Sequence, residues 1–117
     1  MITAKAVIDG RSNLVSLDVN GHAGYGAKGY DIVCSAVTVL SRTAGRILIS
    51  RLKDNCMFES GKKGSFKLDV LKVDEGKREW MEGVTEFLLN GLSDLEREYP
   101  ACIKLEIISN EEMIHGS

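Results

Sequence analysis

The chain has 117 residues, of which 44% are hydrophobic, 27% charged and only one a proline. This composition suits a single domain over residues 1–117, with a core that needs no disulfide or metal staple, and it excludes a disordered chain. The net charge is −2, with Lys and Arg scattered, which excludes the basic footprint of a direct nucleic-acid binder. Three cysteines, with no signal-peptide core and no apolar run approaching membrane-spanning length, lead us to expect a reducing, cytoplasmic setting without a membrane partner.

In chain order, residues 2–9 and 13–19 are β-rich and partly alternating, and the turn residues Gly10-Arg-Ser-Asn13 join them as an antiparallel hairpin. Asn20 and Gly21 end the second strand. A loop with glycines at 21, 24, 26 and 29 follows. Apolar residues at 32, 33, 36, 37, 40, 44, 47 and 48 then predict a helix from about Ile32 to Leu52, broken by Asp54 and Asn55. Cys56–Ser60 reads as a short strand, Gly61-Lys-Lys-Gly64 as a turn, and the segment through Val73 as another strand. Asp74 is placed to cap a second helix, whose expected buried stripe is Trp80, Val84, Phe87, Leu88, Leu92 and Leu95. That helix stops before Tyr99-Pro100, and Cys102–Ile108 forms the last strand. The order ββαββαβ predicts an α+β two-layer sandwich with two helices packed on one β-sheet; strand order is not readable.

The chemistry concentrates between Gly21 and Thr38. Asp31 stands where a helix N-cap is expected, with its carboxylate placed to accept from the amide of Val33 or Cys34. Cys34 then falls near the third helical position, among amides without intrahelical partners and at the positive end of the helix dipole. Both effects favour a thiolate, the nucleophilic form of cysteine. His22, twelve residues upstream, supplies an imidazole for a Cys–His pair. The glycine density from Ala23 to Lys28 predicts a mobile cover over the cleft.

Other features carry less. Gly24-Tyr-Gly26-Ala-Lys-Gly29 matches G-x-G-x-x-G, but the first glycine falls several residues after the strand and the third precedes the helix, so the dinucleotide reading fails on placement. Cys56 and Cys102 read as core residues. His22, Cys34 and His115 do not make a tetrahedral metal site, and no cofactor is expected. The glutamates at 75, 79, 82 and 86 read as a solvated helix face. Two readings without a nucleophilic cysteine remain: a peptide-binding module docking through the glycine loop, and a nucleotide-binding regulatory domain holding phosphate at the helix N-terminus.

Gly21-His22-Ala23, a glycine-containing loop, and Gly29-Tyr-Asp31-Ile-Val-Cys34-Ser-Ala-Val-Thr38 together resemble the ribosomal-processing cysteine protease family of bacteria. The dense match covers residues 21–38; elsewhere the likeness is in length and element order. The resemblance implies a protease that removes the short N-terminal extension of a large-subunit ribosomal protein precursor, with aromatic residues near the cut. It makes His22 and Cys34 the catalytic dyad, Asp31 an acidic neighbour, and Gly21 and Gly29 the loop ends. It implies a homodimer. The family typically carries alanine and serine where this chain has Ser35 and Thr38. On this reading the Cys34 thiolate attacks a peptide carbonyl and His22 protonates the leaving amine. The oxyanion is expected against the amides of Cys34 and Ser35, each such donor worth roughly 3 kcal/mol. Asp31 is expected as a cap, with orientation of His22 as the competing role.

Overall fold

Alternation turns Ile2, Ala4 and Ala6 to one face of β1 (Ile2–Ile8), and they pair with the start of β5 and with Leu17 and Val19 of β2 (Leu14–Asn20) on that same face. A computed structural model describes residues 1–21, 29–61 and 65–111. The remaining elements are α1 (Tyr30–Leu52), β3 (Cys56–Ser60), β4 (Phe66–Val70), α2 (Arg78–Glu98) and β5 (Ile103–Ser109). The order ββαββαβ is the expected one.

The five strands form one mixed sheet in the order β3-β4-β2-β1-β5. β5 runs parallel to β1 and the other pairs are antiparallel. Both helices pack on one face, α1 toward β3 and α2 toward β5, over a core that includes Leu17, Val33, Leu48, Leu68, Met81 and Ile103. The opposite face is polar by register. Glu59, Lys67, Asp18, Lys5 and Glu106 stand side by side on β3, β4, β2, β1 and β5, alternating in sign across the whole sheet. Opposite charges at cross-strand positions favour this pairing, and any slip by one residue would bring them into the core.

Four expectations need correction. β4 ends at Val70, not Val73, because its partner β3 begins at Cys56 opposite Val70; the chain leaves the sheet there, with the Leu71 amide donating to the Asn55 carbonyl at 2.8 Å. Asp74 does not cap α2. It precedes a tight 3-10 turn at Glu75–Lys77, its carbonyl accepts from the Lys77 amide at 2.8 Å, and α2 starts only at Arg78. The buried row of α2 is Met81, Thr85, Leu88 and Leu92; Phe87, one residue round the helix from Leu88, is 76% exposed. Finally, α1 with the turn after it (Tyr30–Asn55) is long and apolar enough by composition to cross a membrane, with a mean hydropathy of 1.5. It is apolar on two sides: Val33, Val37, Ala44 and Leu48 enter the core, while Ile32, Val39, Ile47 and Ile49 are exposed.

The β1–β2 turn is tied to α2. The Asp9 carboxylate accepts from the amides of Arg11 (2.9 Å) and Asn13 (3.0 Å) and from the Arg78 guanidinium (2.7 Å). Two turns along α2, the buried Thr85 hydroxyl accepts from the Leu14 amide at 3.0 Å and donates to the Met81 carbonyl at 2.8 Å. Thr85→Val keeps the shape but strands the Leu14 amide, so thermal unfolding should show a loss of about 1–3 kcal/mol; Thr85→Ser should lose less. For Asp9, burial pushes the carboxyl up, but the Asn13 amide, the Arg78 guanidinium and the Arg11 amide outweigh it and hold Asp9 below the ordinary carboxylate value. A carboxylate depressed in the folded state stabilises fully above its unfolded pKa of about 3.9 and loses that contribution as pH falls through the folded value. Asp9→Asn should therefore be less stable than wild type at neutral pH, with the difference in denaturant midpoint shrinking as pH drops below about 4.

Candidate active site

Both ends of the loop between β2 and α1 are glycines in the left-handed region, Gly21 at φ 96° and Gly29 at φ 89°. A side chain at Gly29 would also collide with the Tyr99 ring, and one at Gly21 would meet the Met1 carbonyl oxygen. Glycine is thus required at both ends by conformation and by space. His22, Gly24 and Gly26 lie in 22–28, outside the described residues, and so does the expected mobile cover.

Helix α1 starts two residues earlier than expected. Gly29 is its N-cap, its carbonyl accepts from the Val33 amide at 2.9 Å, and no side chain makes a cap hydrogen bond. Asp31 is the second helical residue, exposed, so the capping role is ruled out. The reason is local: a left-handed Gly29 turns the chain directly into the helix, and Tyr30 is already helical. Cys34 consequently occupies the fifth position and Ser35 the sixth. Amides there donate to carbonyls four residues back, so the expected oxyanion site on the amides of Cys34 and Ser35 does not form. The amides preceding the first intrahelical bond belong to Tyr30, Asp31 and Ile32.

Cys34 is half-buried and lines a cleft of about 320 Å³ with Ile2, Val37, Val39 and Phe66. Val33 beside it is fully buried, which fixes the rotation of the helix and turns Cys34 toward the cleft. Ser35 is exposed on the cleft wall. The Thr38 hydroxyl donates to the Cys34 carbonyl at 2.7 Å, so it braces the turn carrying Cys34 and is not directed at the sulfur. Sequence reasoning missed Ile2 and Phe66 as cleft residues. They are the first residues of β1 and β4, brought to one end of the sheet by β2 between them, and only the strand order reveals that.

The other cysteines differ in kind. Cys56 and Cys102 are buried and unbridged, as expected, and burial together with the Asp69 carboxylate pushes the Cys56 thiol up. Among the described residues no group of three or more His, Cys, Asp or Glu side chains is placed to hold a metal. Substoichiometric iodoacetamide on the folded chain should label Cys34 first, read by peptide mass mapping, with Cys56 and Cys102 labelled only after denaturation. Early labelling of Cys56 would contradict this picture.

Comparison with known proteins extends the resemblance well beyond residues 21–38. The family described as cysteine protease Prp matches residues 1–104. A crystal structure of SMU.848 from Streptococcus mutans is 28% identical, with a TM-score of 0.72 over 93% of this chain and 95% of that one. The ribosomal processing protease Prp from S. aureus, in complex with a covalently linked product peptide, shares the fold at 20% identity and a TM-score of 0.73, covering 92% of this chain and 99% of that one. Its complex with a substrate peptide matches at 19% identity, a TM-score of 0.73 and the same coverage. No curated protein is significantly similar in sequence.

Proposed function

Since the chain belongs to the cysteine protease Prp family, we propose that it is a cytoplasmic endopeptidase that removes the N-terminal extension of a large-subunit ribosomal protein precursor, with Cys34 as nucleophile and His22 as its base. The observation that carries this is Cys34 itself, the one half-exposed cysteine, on the wall of a cleft at the start of α1. The S. aureus relative, a ribosomal processing protease with a product peptide covalently linked in one complex, supports the substrate class.

Cys34 Sγ attacks the scissile carbonyl carbon and His22 takes the thiol proton. Collapse of the tetrahedral intermediate breaks the C–N bond, and the same proton goes to the leaving amine, which is the new N-terminus of the mature protein. Water then hydrolyses the thioester and releases the extension. The apolar cleft walls, Ile2, Val37 and Phe66, hold an apolar side chain of the extension beside the sulfur. Asp31, freed of a capping role, orients the His22 ring.

The test is mass spectrometry of the precursor incubated with the chain and its variants. Wild type should make a single N-terminal cut, and Cys34→Ala and His22→Ala should make none. Asp31→Asn should cut at least about tenfold more slowly with an unchanged Tm, since no cap is lost. Binding of the precursor without any cut by wild type would leave a peptide-binding module. A cut by Cys34→Ala would remove the nucleophile from this account.

A further inference from the structure

Attack on a peptide carbonyl turns its oxygen into an anion, and stabilising that anion takes a hydrogen-bond donor aimed at it. The described walls of the Cys34 cleft offer few. The amides of Cys34, Ser35, Val37, Thr38 and Val39 lie beyond the first turn of α1 and belong to the helical ladder. The Ile2 amide donates to the Cys102 carbonyl at 2.8 Å, and Phe66 is paired with Val19 on one side and Ser60 on the other. Among the side chains, Ile2, Val37, Val39 and Phe66 are apolar. The Thr38 hydroxyl proton is already committed to the Cys34 carbonyl. Ser35 is left.

Its hydroxyl is available for the task. Serine and threonine inside helices commonly donate to the carbonyl four residues back, as Thr38 and Thr85 do here. Ser35 makes no such bond to the Asp31 carbonyl, and no other hydrogen bond among the described residues. It is exposed on the wall it shares with Cys34. Side chains on a helix lean toward its N-terminus, so Sγ and the Ser35 hydroxyl both project over the first turn. Their Cα atoms are about 3.8 Å apart, a separation that an O–H···O bond of about 2.7 Å can bridge to an oxygen on the carbon that Sγ attacks. Asp31, one turn back, carries a carboxylate, which accepts and does not donate.

On the proteolytic reading of Cys34, we propose that Ser35 is a catalytic residue whose hydroxyl donates to the carbonyl oxygen as the sulfur attacks. While the S–C bond forms, the C=O π pair moves onto oxygen and the Ser35 hydrogen bond strengthens. On collapse the pair returns and the C–N bond breaks. Ser35 keeps its proton throughout, and the leaving amine takes its proton from His22. Because this bond is strongest in the transition state, its loss falls on kcat and spares KM. The resemblance gives alanine as the usual residue at this position, so the donor is this chain's own addition.

Steady-state cleavage of the precursor by the full chain and by Ser35→Ala tests this. Alanine favours the helix, so Tm should hold, while kcat should fall at least about tenfold with KM within about twofold. A peptide aldehyde ending at the cut gives a second readout. The Cys34 thiol adds across its C=O, and the oxygen of the tetrahedral hemithioacetal takes the place of the oxyanion. Ser35→Ala should weaken aldehyde binding at least about tenfold, while the matching peptide alcohol, which forms no adduct, should bind both proteins equally. Equal kcat in the two proteins, a loss confined to KM, or an aldehyde held equally by both would overturn the role of Ser35 and leave the proteolytic reading standing. A wild type that leaves the precursor uncut would overturn both.

Discussion

Val33 and Val37, one turn apart on α1 and almost fully buried, seat the first two turns of that helix on the inner face of the sheet, and this seating decides what Cys34 does. Its neighbour Val33 is locked in the core, so the sulfur is turned to the adjacent cleft, where Ile2 and Phe66 from separate strands supply the apolar walls. The small residues Ala4 and Ala6 at the centre of the sheet share that core. Gly29 adds the second constraint. Its left-handed backbone against the Tyr99 ring starts the helix at Tyr30, which places Cys34 in the second turn instead of the first.

This shift changes the electrostatic argument for the site. A cysteine in the first turn has uncommitted amides beside it and the strongest part of the helix dipole, whose influence fades beyond that turn. Cys34 has neither in full, because its own amide belongs to the helical ladder. On the proposed mechanism, activation of the thiol falls to an imidazole, and His22 is the candidate the sequence offers between Gly21 and Gly29. Asp31 is exposed and makes no capping bond, which leaves its carboxylate for the orienting role proposed above.

Element types and their order were legible in the sequence because the periodicities are strong: alternation through Ile2, Ala4 and Ala6, and helical spacing from Val33 to Leu48. Where local signals competed, they misled. Asp31 and Asp74 look like caps, but the backbone at Gly29 and the tight turn at Glu75–Lys77 start each helix elsewhere. Phe87 fits a helical apolar stripe as well as Leu88 does, and only packing on the sheet shows that Met81, Thr85, Leu88 and Leu92 form the inward row. Of the candidate site, the placement of Cys34 near the start of α1 and the glycines at 21 and 29 were readable, since helical spacing and positive-φ glycines leave marks in one stretch of chain. The cleft walls were not, because Ile2 and Phe66 meet Cys34 through a strand order that no local pattern encodes.

The two apolar sides of α1 differ in what they do: one side builds the core and turns Cys34 to the cleft, and the other faces outward beside Phe87. The central claim is covalent chemistry at Cys34, and rapid acid quench of the chain with the ribosomal protein precursor, followed by intact mass and peptide mapping, tests it most directly. The account predicts a transient adduct whose added mass is that of the released extension less one water, mapped to Cys34 and absent in Cys34→Ser. Turnover of the precursor with no such adduct, or an adduct mapped to another residue, would contradict it.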